Sequence, residues 1–188
     1  SSDVCSSDLN ALKGEFISPS LQQGRELVKK GKIVEAVAVY EDCLAGEPDN
    51  GLAAVELAIL LVYVSDRQAE VAAYKAMEIQ PNDGRIYGVL GLISCRRANW
   101  KEGLMWLQRG AFLAAEESWI QANLGWALAK LGYWEKAEKS CDRALELDAN
   151  STFALGLKAW ILANRNRWVE AIRNARPAIT KLKQFNSN

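Results

Sequence analysis

An all-α stack of helix pairs is the fold this sequence predicts, and three columns of residues in one register predict it. Trp100, Trp134 and Trp168 stand 34 residues apart. Small residues recur at Ala36, Ala69, Gly103, Ala137 and Ala171, spaced 33, 34, 34 and 34. A third column runs Gly24, Ala58, Gly91, Gly125 and Ala159, spaced 34, 33, 34 and 34. A fixed period of this length marks a repeat architecture, in which each unit buries its apolar face only against its neighbours. The columns give five units at 17–50, 51–83, 84–117, 118–151 and 152–185, the second one residue short within its turn near Ser65–Arg67.

Residues 1–16 stand apart from the array, as an irregular lead-in, and residues 186–188 form a tail. The opening SSDVCSSDL reads back into codons as AGT TCA GAC GTG TGC TCT TCC GAT CT, similar to the second-read adapter of short-read DNA sequencing. Ser1–Leu9 is therefore read as a library scar. That removes Cys5 from the cysteine count and implies a gene that continued upstream.

Within each unit the pattern predicts two antiparallel helices. In the fourth, Ser118 is expected to cap a helix through Leu131, ended by Gly132 in a left-handed conformation. Trp134–Leu147 then carries apolar residues at helical spacing: Ala137, Cys141, Ala144 and Leu145. A glycine or alanine on each helix lets the two backbones approach closely, with large aromatics filling the space between units. In the last unit Pro177 removes one helical hydrogen bond and should kink or end the helix near Arg176.

Composition excludes several classes of function. The chain has 23 Lys+Arg against 23 Asp+Glu, a balance that argues against nucleic-acid binding. That balance, and the lack of a consistent basic stripe, also weigh against an RNA-binding helical repeat. With no histidine, the commonest general base and most zinc ligand sets are missing. The longest apolar run, Leu52–Val64, is interrupted by Glu56 and is too short for a membrane span. Cys43, Cys95 and Cys141 have no paired spacing and read as packing residues. Glu116–Glu117 precedes a helix start, where negative charge is favourable, and Asp148 reads as a solvated loop carboxylate. No phosphate loop or catalytic constellation is present, so neither a cofactor nor a metal is expected. A cytoplasmic location suits the absence of paired cysteines and of a signal sequence.

The stretch Trp119–Asn150 resembles the tetratricopeptide repeat family. It carries that family's Asn-Leu-Gly at Asn123, Leu124 and Gly125, its turn glycine at Gly132, its alanines at Ala137 and Ala144, and its Leu-Glu-Leu-Asp ending at Leu145–Asp148. The proline that precedes the next repeat appears as Pro48 and Pro81, while Ala115 and Ala149 replace it later. The resemblance implies a right-handed superhelical solenoid of about five antiparallel helix pairs, with first helices lining a concave surface.

Carried onto this sequence, the groove stripe contains Leu21, Arg25 and Lys29, then Leu52, Val55, Ile59 and Tyr63. Arg85, Leu92 and Arg96 continue it, followed by Trp119, Asn123, Trp126 and Lys130, and by Phe153, Trp160 and Asn164. A solvent-facing helix stripe is ordinarily polar; this one is aromatic and aliphatic with a few cations. Two readings of it stay open: ordinary core, or an apolar patch that anchors a partner. The resemblance implies a non-catalytic interaction scaffold that holds a partner's peptide or helix, with apolar anchors, in the groove. Trp119, Trp126, Phe153 and Trp160 would form one wall, bordered by Arg85, Arg96 and Lys130. Asn123 would read the peptide backbone or make a local helix hydrogen bond. The alternative is a regulatory or targeting segment of a larger enzyme whose catalytic domain preceded residue 10.

Overall fold

The computed structural model describes residues 19–185, which form ten α-helices and no strand. They run in pairs: α1 Pro19–Lys29 with α2 Ile33–Gly46, α3 Gly51–Leu61 with α4 Asp66–Ile79, α5 Gly84–Arg96 with α6 Trp100–Leu113. The fourth pair is α7 Ser118–Lys130 with α8 Trp134–Leu147, and the fifth α9 Thr152–Asn164 with α10 Trp168–Phe185. The suggested scar, Cys5 and the 186–188 tail lie outside the described residues.

Helix starts follow local chemistry. Asn50 accepts a hydrogen bond from the Ala53 N–H (3.0 Å), Asp83 from Arg85 (2.9 Å) and Ser151 from Ala154 (3.3 Å), each satisfying a donor left open at a first turn. Ser118 departs from its expected role. It is the first residue of α7, and its hydroxyl donates to the Ala144 carbonyl of α8 (3.0 Å), so it ties two helices together instead of capping one.

Within the pairs, the turns use the left-handed conformation at corresponding places: Gly31 (φ 72°), Ala98 (φ 62°), Gly132 (φ 82°) and Asn166 (φ 60°). Glycine adopts it without the Cβ clash that alanine suffers. The second pair has no such residue. Its helix starts, Gly51 and Asp66, are 15 apart where Gly84 and Trp100 are 16 apart, so the residue missing from the second unit is lost before Ser65.

Packing explains the small columns. Ala36, Ala69 and Ala137 are fully buried. A Cβ on Gly91 would lie 3.1 Å from the Gly103 carbonyl and 2.5 Å from Leu107, so this crossing admits no side chain. Beside Gly125 the Cys141 thiol fills the notch: a Cβ there would meet its sulfur at 2.9 Å. Cys43, Cys95 and Cys141 are all buried, and no disulfide joins any two of them. Burial pushes the Cys95 thiol up to about 11 and, with help from Asp142, the Cys141 thiol up to about 12, so both stay protonated at neutral pH.

The first helices α3, α5, α7 and α9 are apolar nearly all round, and neighbouring pairs enclose them, whereas α1 buries only Leu21 and Gly24. In α3, Gly51, Ala53, Ala54, Val55, Leu57, Ala58, Leu60 and Leu61 are all buried. Second helices are amphipathic: α8 buries only Ala137, Cys141 and Ala144. Ion pairs staple adjacent pairs at the surface, including Arg97 to Glu70 (2.8 Å) and Arg165 to Glu138 (2.6 Å). The helix does not end at Arg176: Pro177 lies inside α10, which runs to Phe185. One absent N–H is tolerated where flanking turns keep their own bonds, and Thr180 adds a hydroxyl bond to the Arg176 carbonyl (3.0 Å).

Candidate functional site

The expected groove residues differ in where the structure places them. Val55 belongs to the core, fully buried, and not to a surface stripe; α3 is covered on that side by the neighbouring pairs. Leu21, at 2% exposure, is core as well. Leu52, Ile59 and Leu92 are half-buried against the same cluster. Tyr63 stands exposed in the turn after α3.

Most of the expected cations are spent within the fold. Arg25 donates Nε to Glu56 Oε1 (2.9 Å), and Tyr40 donates its hydroxyl to the other oxygen (2.6 Å). The bond to Glu56 raises the Arg25 guanidinium above its ordinary range, and burial followed by the same carboxylate raises the Tyr40 phenol. Arg85 folds back onto Asp83 (2.6 Å), the residue that caps its own helix. Burial acts to raise the Asp83 carboxyl, but hydrogen bonds from Arg85 outweigh it and hold the group below the usual carboxylate range. Arg96 binds the Val62 carbonyl (2.9 Å) and Asp66 (2.6 Å) across to the preceding pair. Neither Arg85 nor Arg96 borders an aromatic wall as a free charge.

Asn123 is buried, and its amide donates to the Trp119 carbonyl one turn back (2.7 Å), the local alternative. Asn164 repeats this bond to Trp160 (2.8 Å). Trp119 leaves the expected wall: it donates to Glu117 (3.0 Å) and packs against Gly88, where a Cβ would lie 2.5 Å from its ring.

The remaining four residues do come together. Trp126, Lys130, Phe153 and Trp160 line a recess of about 350 Å³ between α7 and α9, completed by Thr152, Gly156 and Leu157. Trp126 meets Phe153 edge to face at 6.3 Å. Two tryptophans that the period marks only as repeat signposts complete the cluster. Trp100 lies edge-on to Trp126 at 5.1 Å, and Trp134 packs on Trp160 at 5.6 Å. The Lys130 ammonium sits 5.6 Å from the Trp100 ring centroid and 5.2 Å from that of Trp160. These are cation–π distances, and Lys130 makes no ion pair among the described residues. Gly156 is exposed, and a Cβ there would meet nothing within 4 Å. Mid-helix glycine costs about 0.5–1 kcal/mol relative to alanine, and no packing within the fold requires it here.

Among the described residues no group of His, Cys, Asp or Glu could hold a metal, and no helix is long and apolar enough to cross a membrane. Glu116 pairs with Arg143 (2.9 Å), and Asp148 accepts from the Asn150 N–H (2.9 Å); both carboxylates have structural work.

Residues 118–151 match the tetratricopeptide repeat family. The transcriptional regulator HilA of Salmonella typhimurium is 26% identical over 164 residues, covering 85% of this chain and 28% of HilA, so the chain spans under a third of that relative. HilA of Salmonella typhi matches to the same extent. Among solved structures, a thermophilic tetratricopeptide-repeat protein of Thermus thermophilus superposes with a TM-score of 0.71 at 20% identity, covering 86% of this chain and 89% of that one. PilF of Pseudomonas aeruginosa gives 0.68 at 18%, with coverage of 86% and 74%. MamA of Desulfovibrio magneticus RS-1 gives 0.64 at 14%, with 91% and 97%. At these identities the likeness is one of fold. Residues 118–151 are a tetratricopeptide repeat, and the solenoid around them has the fold of a tetratricopeptide-repeat protein.

Proposed function

We propose that the chain is a non-catalytic protein–protein interaction scaffold whose anchor site is the aromatic recess between α7 and α9. The fold suits a scaffold; the recess is what supports this particular reading. It combines exposed ring surface on Phe153 and Trp160, a cation without a carboxylate, and a helix glycine that serves no packing purpose. An apolar side chain of a partner peptide or helix would rest against Gly156 and Leu157, with an acidic neighbour reaching Lys130. Buried aromatic anchors are worth about 2 kcal/mol or more in such interfaces. The five units with the boundaries given above, and a groove formed by first helices, belong to the same proposal.

The experiment compares wild type with Gly156→Leu, which fills the recess, and Trp126→Ala, which removes its wall. A partner captured from lysate by wild type, and identified by mass spectrometry, should be lost with both variants while circular dichroism keeps the helical signal. Partner binding that follows only the folded fraction of each variant would make these residues ordinary core. A second reading is favoured by the match to 28% of HilA: the array would be the partner-sensing segment of a longer protein.

A further inference from the structure

The cleft between α2 and α4 lacks the side chains that fill the corresponding place one helix pair along. In the third pair, Tyr87 of α5 and Trp106 of α6 pack with ring planes tilted by 35° and centroids 5.9 Å apart. Arg109 lies 5.8 Å from the Tyr87 centroid, and the Tyr87 hydroxyl donates to the Pro81 carbonyl (2.7 Å). Counting from the helix starts, Gly51 to Gly84 and Asp66 to Trp100, the counterparts one pair earlier are Ala54, Ala72 and Lys75, with Pro48 for Pro81. All four line a cleft of about 770 Å³ that Leu57 and Leu61 also line. In the fourth pair Gln121 and Ser140 take the places of the two rings, and the Gln121 amide still donates to the corresponding carbonyl, that of Ala115 (3.5 Å). Ala54 has no such donor to offer Pro48.

Relative to the third pair, two aromatic side chains are therefore missing, while the cation and the proline that serve Tyr87 there remain. The volume is that of a ligand site, ~300–1,000 Å³. A ring entering it would gain apolar contact from the alanines and leucines, a cation over its face from Lys75, and a carbonyl at its far end from Pro48. Glu41 on the α2 wall and Arg67 on the α4 wall make no ion pair among the described residues. Unspent charges of both signs beside the ring site suit a polypeptide with flanking charges better than a free aromatic molecule.

We propose that this cleft is a binding site for an aromatic side chain, tyrosine above all, presented by a partner polypeptide. It is separate from the recess at α7 and α9, so the fate of one says nothing of the other.

The test is a methyl NMR titration of the full chain with N-acetyl-tyrosinamide, N-acetyl-leucinamide and a blocked heptapeptide bearing a central tyrosine between lysine and glutamate. Tyrosinamide should shift the Ala54 and Ala72 methyl signals saturably, leucinamide should not, and the heptapeptide should bind about tenfold tighter than tyrosinamide. Ala72→Trp, which restores the side chain of the neighbouring pair, should abolish the shifts. Lys75→Gln should weaken binding roughly two- to fivefold, and Gly156→Leu should leave it unchanged. If Ala72→Trp fails to fold, Ala72→Met occludes the same space. Equal shifts with leucinamide, no shifts at all, or full binding by a folded Ala72 variant would overturn the site. A heptapeptide no tighter than tyrosinamide would overturn the polypeptide as its source.

Discussion

The Trp100 and Trp126 rings meet edge to face with centroids 5.1 Å apart, one from the second helix of a pair and one from the first helix of the next. The same helix-to-helix spacing, 26 residues in both cases, joins Trp134 to Trp160, whose rings are tilted by 58° with centroids 5.6 Å apart. Each contact bridges two pairs, so ring against ring contributes to the stacking of the array as well as to the wall of the recess. A double-mutant cycle of Trp100→Ala and Trp126→Ala, read by urea unfolding, should give a coupling of about 0.5–1.5 kcal/mol. Strict additivity would mean that the rings merely share a neighbourhood.

Ala137 is fully buried, and its carbonyl would sit 3.1 Å from a Cβ on Gly125. Ala137→Leu should therefore destabilise by ~1–3 kcal/mol through overpacking. Lys139→Leu, at an outward position of the same helix, should stay within about 0.5 kcal/mol of wild type. Comparable losses at both positions would show that the helix faces are misassigned.

Gly132 and Ala98 hold the same left-handed place in successive turns, at φ 82° and 62°. Gly132→Ala should cost about 1 kcal/mol, the Cβ penalty of that conformation. Ala98→Gly should be neutral or slightly stabilising, since relief of that penalty offsets the greater freedom of an unfolded glycine. Thermal unfolding of the two variants side by side checks the opposite signs.

Cys141 supplies a pH dependence. Its thiol is raised from 9.0 to about 12 in the folded chain. The folded state thus holds the proton more tightly, and this contribution is complete below the unfolded value and lost as pH rises toward the folded one. Denaturant midpoints should fall between about pH 9 and pH 12, and Cys141→Ala should flatten that fall. An alkaline limb identical in the variant would place its origin elsewhere.

The helix pairs were legible because a fixed spacing of small residues and tryptophans survives any amount of surface change. Depth within the stack was not. Apolar residues surround α3, so its pattern has no polar face from which to read that Val55 points inward. Nor could spacing show which cations are spent: Arg85 turns to Asp83 two residues back, whereas Arg96 reaches Asp66 across a helix pair. The tryptophan contacts had a signal in the sequence, the repeated spacing of 26, but it becomes informative only once the stacking of one pair on the next is known. Asn123 resembled a ligand-reading residue because its type matches that role; a carbonyl one turn away claims it first.

Every substantial helix contact in the array is made within a pair or between adjacent pairs. No end depends on the other. Such a chain resembles a row of coupled links more than a single cooperative block, and its folding can begin at whichever link is strongest and spread. The glycine-lined crossing of α5 and α6 sits mid-row with neighbours on both sides, while among the described residues α1 and α10 belong to pairs with a described neighbour on one side. Amide exchange should accordingly be slowest in α5 through α7 and quicken outward in both directions. A partner that grips two adjacent pairs would then do more than occupy a surface: it would move the boundary between the ordered and fraying parts of the row.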